Sequence, residues 1–143
     1  MKIALACDHA GFALKKEIKS YLLSENIEVS DLGTDSEEAV DYPVYGKKCA
    51  EIVASGQADR GIILCGTGIG ISIAANKVRG IRCALCTDEN MADAARKHND
   101  ANMLAIGGRK TSIDKALRIV EVWLKTEFEE DRHRQRVDML NEM

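Results

Sequence analysis

The chain has 143 residues, 20 of them basic and 23 acidic, for a net charge of −3. That length fits one domain, and the charge balance lacks the basic footprint of a general nucleic-acid binder. The 45% hydrophobic fraction supports a sizeable core, but no apolar run approaches the ~20 residues of a membrane span.

The opening apolar run, Ile3–Cys7, reads as a strand ending in Asp8-His9-Ala10-Gly11. It is too short for a signal peptide, which predicts a cytoplasmic chain. Phe12, Leu14, Ile18, Leu22 and Leu23 recur at helical spacing, so a helix is predicted from Phe12 to Leu23. Ile27–Leu32 alternates and reads as a second strand. Gly33 to Asp41 is a polar, acidic loop, and Pro43, the only proline, suits the first turn of a helix that runs to Ala54. Gly61–Leu64 is a third, buried strand. It ends at Cys65-Gly66-Thr67-Gly68-Ile69-Gly70, and Ile71–Lys77 reads as the helix that follows. Gly80–Leu85 is the fourth strand. Asp88 resembles an N-cap, with Glu89 in the first turn of a helix reaching about Lys97. His98-Asn99-Asp100 come next, then a fifth strand, Ala101–Ile106, ending at Gly107-Gly108-Arg109. Thr111 or Ser112 caps a helix striped by Ile113, Leu117, Val120 and Leu124, and a last helix covers about Glu129 to Asn141.

Strands and helices alternate throughout, and each gap between strands is long enough for a crossover. This predicts an α/β fold: a single-domain, Rossmann-like, doubly wound parallel sheet of about five strands, with helices on both faces and a C-terminal helix. Ligands of such sheets bind outside the carboxyl ends of the strands. Asp8, His9, Cys65, Asp88 and Arg109 fall there. His98 precedes its strand and is expected at the opposite edge, so a second subunit would have to bring it to the site.

The five cysteines are odd in number and irregular in spacing, which suits a reduced compartment better than a disulfide framework. Cys83-Ala84-Leu85-Cys86 has C-x-x-C form, but on a strand positions three apart face opposite ways. Two core thiols are the better reading. The three histidines and five cysteines show no close ligand pairs of the kind zinc uses, so no metal is expected.

The glycine stretch is the chemical centre. Closely spaced glycines let backbone N–H groups converge on an anion, and the helix start adds partial positive charge. A thiol there ionises more easily than a free one. The dinucleotide pattern G-x-G-x-x-G fails, because Ile71 or Ile73 stands where the third glycine belongs, although Asp88 lies at the spacing of the ribose acid. The Walker A pattern is absent. What remains is acid–base chemistry on a small anionic substrate, with Cys65 as a base and the N–H groups of Gly66–Gly70 facing a developing oxyanion. Plainer readings exist: Asp8 as a helix cap, His9 as a loop residue, His98 as a cation at a helix end. Arg132 and Arg136 share a helix face and could grip a phosphate, or could pair with Glu129, Glu130 and Asp131.

As a set, Asp8-His9-Ala10-Gly11, Asp41-Tyr42-Pro43, Cys65 to Gly70, Asn76-Lys77, Arg79-Gly80, His98-Asn99 and Gly107-Gly108-Arg109 resemble ribose-5-phosphate isomerase type B along nearly the whole chain. The wider family includes the galactose-6-phosphate isomerase subunits. The resemblance implies a cofactor-free, metal-free aldose–ketose isomerase acting on ribose 5-phosphate and ribulose 5-phosphate. It implies Cys65 as the base, Thr67 and the backbone from Gly66 through Gly68 and Ile69 to Gly70 as holders of the enediolate oxygen, and Asp8 with His98 in ring opening. It implies His9, Arg132, Arg136 and Arg109 for the phosphate, and Tyr42 with Asn99 along the sugar. It further implies a homodimer with sites shared between subunits, with a dimer of dimers left open. A hexose 6-phosphate isomerase, for allose or galactose 6-phosphate, and a silent sugar-phosphate binding protein are the alternatives.

Overall fold

The computed structural model describes residues 1–143. Five strands, β1 (Lys2–Cys7), β2 (Glu28–Asp31), β3 (Arg60–Cys65), β4 (Cys83–Leu85) and β5 (Met103–Gly107), form one parallel sheet in the order β2-β1-β3-β5-β4. Between and after them run α1 (Phe12–Ser24), α2 (Tyr42–Ala54), α3 (Ile69–Asn76), α4 (Glu89–Asn99), α5 (Ile113–Lys125) and α6 (Asp131–Asn141). The expected α/β sheet with helices on both faces is what the chain forms. No helix is long and apolar enough to cross a membrane.

The central strands are apolar on both faces because both are covered. Ile3, Leu5, Ile62, Leu64, Leu104 and Ile106 point toward α1, α4 and α5, where Trp123 is fully buried. Ala4, Ala6, Ile63 and Cys65 point toward α2 and α3. The alanines on this second face are small, and Gly46 of α2 meets Ile71 of α3 so closely that a Cβ would lie 2.9 Å from Ile71 Cγ1. Cys83 packs on the α2/α3 face and Cys86 on the other. The C-x-x-C pair is therefore split by the sheet, as strand geometry requires.

Strand order reverses between β1 and β3, where the register sets Cys7 beside Leu64. In open parallel sheets such a reversal is where ligands bind, at the carboxyl ends of the two strands. On the far side of β3, Cys65 pairs with Gly107. The ends of β1, β3 and β5 are thus neighbours.

Several boundaries differ from the sequence expectation, each for a local reason. β4 is three residues long rather than six, because the segment before it is held by side chains. Asn102 Oδ1 accepts from Arg82 N–H at 2.8 Å, and Asn76 Oδ1 accepts from Cys83 N–H at 2.8 Å. α6 starts two residues late, since Glu130 sits at φ 61°. α3 starts two residues early, directly after Gly68 at φ +80°. α4 continues through Asn99, capped at its start by Asp88, which accepts from Met91 N–H at 2.8 Å. His98 and Asn99 therefore stand on the last helical turn. Of the two candidate caps for α5, Ser112 is used, accepting from Lys115 N–H.

Candidate active site

Cys65 is the last residue of β3 and is buried. Gly68 N–H donates to its Sγ at 3.2 Å, and Ile69 N–H donates to Thr67 Oγ1 at 3.1 Å. The N–H groups of Gly66, Thr67 and Gly70 have no partner within the chain. A thiol and a set of unpaired N–H donors thus share one turn of chain at a helix start, where partial positive charge favours an anion.

Only small residues allow this loop. A Cβ on Gly68 would lie 2.6 Å from Leu85 Cδ1, on top of its positive φ. A Cβ on Gly107 would lie 2.7 Å from the Thr67 carbonyl, and one on Gly108 2.6 Å from the Ala10 carbonyl oxygen. The loops after β1, β3 and β5 mesh backbone against backbone. Gly108 N–H donates to Cys65 O at 2.8 Å and Arg109 N–H to Gly66 O at 3.0 Å.

The expected residues divide into two groups. Asp8 is buried at the end of β1, and its Oδ1 accepts from Ala10 and Gly11 N–H at 3.0 and 3.2 Å. The helix-cap reading is correct for that oxygen. His9 is half-buried, and its Nδ1 accepts from Val40 N–H at 3.1 Å. In the neutral ring the proton therefore stands on Nε2, ready to donate. The Tyr42 ring lies over Gly70, at 2.5 Å from where a Cβ would be. Arg109 is exposed, yet its Cδ and Nη1 lie 3.6 Å from a Cβ built on Gly66. Its side chain folds back over the glycine loop. These residues all gather around Cys65.

His98, Asn99, Arg132 and Arg136 do not. They sit at the amino end of β5, a strand length of roughly 17 Å away. His98 stacks on His133, with ring centroids 4.5 Å apart and planes inclined at 21°. Arg82 Nε donates to the Asn99 carbonyl at 3.1 Å. Arg132 and Arg136 are exposed, and neither makes an ion pair. Of the acidic residues before them, Glu130 pairs with Arg134 and Glu129 lies against His133. Burial, then the positive groups of His98 and Arg132, holds His133 below the ordinary histidine value despite Glu129. A groove of about 660 Å³ also lies at this edge, lined by Asn99, Arg82, Leu140 and Met143 among others.

Four thiols are poor candidates for a base. Burial pushes Cys7 up to about 11, Cys49 and Cys86 up to about 12, and Cys83 further still. Val40 escaped the sequence reading, and His133 entered it only as one of three histidines without close ligand pairs. Only the four-residue spacing of Glu129 and His133 hinted at the latter.

The description Ribose/Galactose Isomerase matches residues 3–140. The chain belongs to the ribose/galactose isomerase family. Within that family it is 49% identical over 139 residues to ribose-5-phosphate isomerase B of Escherichia coli K12, covering 97% of this chain and 93% of the relative. It is 44% identical over 137 residues to galactose-6-phosphate isomerase subunit LacB of Clostridium acetobutylicum, covering 96% and 79%. Among solved ribose/galactose isomerases, the Clostridium thermocellum ribose-5-phosphate isomerase B superposes with a TM-score of 0.98 at 55% identity, covering 99% of this chain and 96% of that one. The Mycoplasma genitalium enzyme with bound ribulose-5-phosphate gives 0.94 at 38% identity, covering 99% and 94%.

Proposed function

We propose that this chain interconverts ribose 5-phosphate and ribulose 5-phosphate by proton transfer through an enediolate. The observation that carries the mechanism is the thiol of Cys65 beside the unpaired N–H groups of Gly66, Thr67 and Gly70. Cys65, as thiolate, takes the proton from C2 of the open-chain aldose. The carbonyl oxygen at C1 gains the negative charge and meets those N–H donors, each contributing about 3 kcal/mol to the transition state. Cys65 then returns the proton to C1 while the O2 proton passes to O1, leaving a hydroxyl at C1 and the carbonyl at C2. Thr67 and Ile69 hold the shape of the loop, and Tyr42 and Asn99 line the sugar. His9 through Nε2–H, Arg109, Arg132 and Arg136 bind the phosphate.

The two residue groups cannot meet within one subunit. We infer a homodimer in which Asp8 of one chain and His98 of the partner subunit open the sugar ring, and in which Asn99, Arg132 and Arg136 are also the partner's. Exposed Ile69, Ile73 and Val44 at the rim of the glycine loop support such a cover, since apolar side chains there favour burial against a second copy. Five free thiols fit a reducing cytoplasm.

The test is turnover of ribose 5-phosphate by the purified chain in EDTA, with allose 6-phosphate and galactose 6-phosphate alongside. Fast turnover of the pentose is expected. Turnover of a hexose alone would keep the mechanism and change the substrate, a reading favoured by the 44% identity to a galactose-6-phosphate isomerase subunit. Ligand binding without turnover of any sugar would leave a silent binding protein.

A further inference from the structure

His98, Glu129 and His133 place one nitrogen or oxygen ligand atom each within 4.8 Å of the others. His133 Nε2 stands 3.9 Å from Glu129 Oε2. Two histidines and one glutamate, with a fourth position open to water, form a ligand set that zinc accepts. Metal bonds need nitrogen and oxygen at about 2.0–2.2 Å, so the three atoms must close by roughly 1.5 Å. The arrangement permits this. His133 is buried and fixed, whereas His98 and Glu129 are exposed and can rotate toward it. Their backbones are already tied, as Glu129 N–H donates to the Lys97 carbonyl at 3.1 Å and Arg96 Nε to the Thr126 carbonyl at 3.2 Å. The last turn of α4 adds partial negative charge, while Arg132 and Arg136 oppose a cation.

We propose that His98, Glu129 and His133 form an inhibitory site for a divalent cation of the zinc class. The binding stands on this geometry alone. The inhibition rests on the role given to His98 above: a metal that takes the imidazole lone pair removes it from ring opening, and the ion occupies the space beside Arg132 and Arg136 that the phosphate needs. The metal is no part of the proposed reaction, so activity is expected to survive EDTA.

The experiment titrates the intact protein with Co²⁺ and reads its visible absorption, then displaces the ion with Zn²⁺ and follows activity in parallel. One cobalt per chain with ligand-field bands of a nitrogen–oxygen site is expected, as is loss of activity on adding Zn²⁺ and its return with EDTA. Glu129→Gln should keep its metal-free activity and weaken both cobalt binding and zinc inhibition about tenfold or more. His133→Gln, checked for folding by circular dichroism, should do the same to binding. Absence of the bands, a thiolate-to-cobalt charge-transfer band, or undiminished binding in Glu129→Gln would each overturn the site. Zinc binding that leaves activity intact would overturn the inhibition. A chain inactive on every sugar phosphate in EDTA would instead defeat the isomerase reading, and the cobalt spectrum would still decide the metal site.

Discussion

Cys65 owes its suitability to position rather than to residue type. Four other thiols exist, and burial holds each of them well above the range of a useful base. Replacing Cys65 by serine should lower turnover by roughly 10²–10⁴-fold, the usual contribution of a general base. Sugar-phosphate affinity measured by calorimetry should barely change, because the N–H groups that meet the ligand belong to the backbone. The glycine run was legible in the sequence for the same reason: its function depends on what its residues lack, and that is written locally. The aim of Arg109 was not legible. An arginine after two glycines could lean either way, and only the close approach of three loops turns it over Gly66.

Among the elements, the loop between β2 and α2 is held by a buried lysine. Lys15 of α1, 1% exposed, donates to Asp31 Oδ1 and to the Thr34 carbonyl, both at 2.7 Å. The far end of the same loop supplies the Val40 N–H that orients His9. Lys15→Met should cost about 3 kcal/mol, read from the urea midpoint, because it leaves a half-buried carboxylate with weaker partners. It should also raise the Michaelis constant by loosening the loop behind His9. Burial acts to raise the Asp31 carboxyl, but hydrogen bonds from Lys15, Gly33 N–H and Lys19 prevail and lower it. A lowered carboxyl adds stability above its unfolded value of about 3.9 and loses it as the pH falls through the folded value. The gap between wild type and Lys15→Met should therefore narrow in strongly acid solution. Helix and strand types were readable from periodicity, since the apolar stripes are complete. The edges of β4 and α6 were not. There, side chains distant in sequence, such as Asn102, or a backbone at positive φ decide where the element stops.

For the whole molecule, the decisive fact is that the two residue groups occupy opposite edges of the sheet. The alternation of strands and helices was enough to place Asp8, Cys65 and Arg109 at one edge and His98 at the other. Strand order was not readable, because the β2-β1-β3-β5-β4 arrangement depends on how crossovers pack. The shared-site dimer has a direct test. Cys65→Ala and His98→Asn should each be inactive alone. Unfolded together and refolded, they should recover activity, because every mixed dimer then contains one site with both residues intact. No recovery, with mixed dimers detected by mass spectrometry, would rule out sharing.

The meshing of the three loops has a consequence for motion. Surface loops ordinarily open far more often than the sheet beneath them. Here the hydrogen bonds from Gly108 and Arg109 to the carbonyls of Cys65 and Gly66 carry the β3–β5 ladder past the strand ends. In heavy water, the amides of Gly108 and Arg109 should keep their protons about as long as those of β5, while the exposed stretch from Asp35 to Ala39 loses its own at once. The glycine loop would then have no private opening of its own: to expose it, the centre of the sheet must come apart.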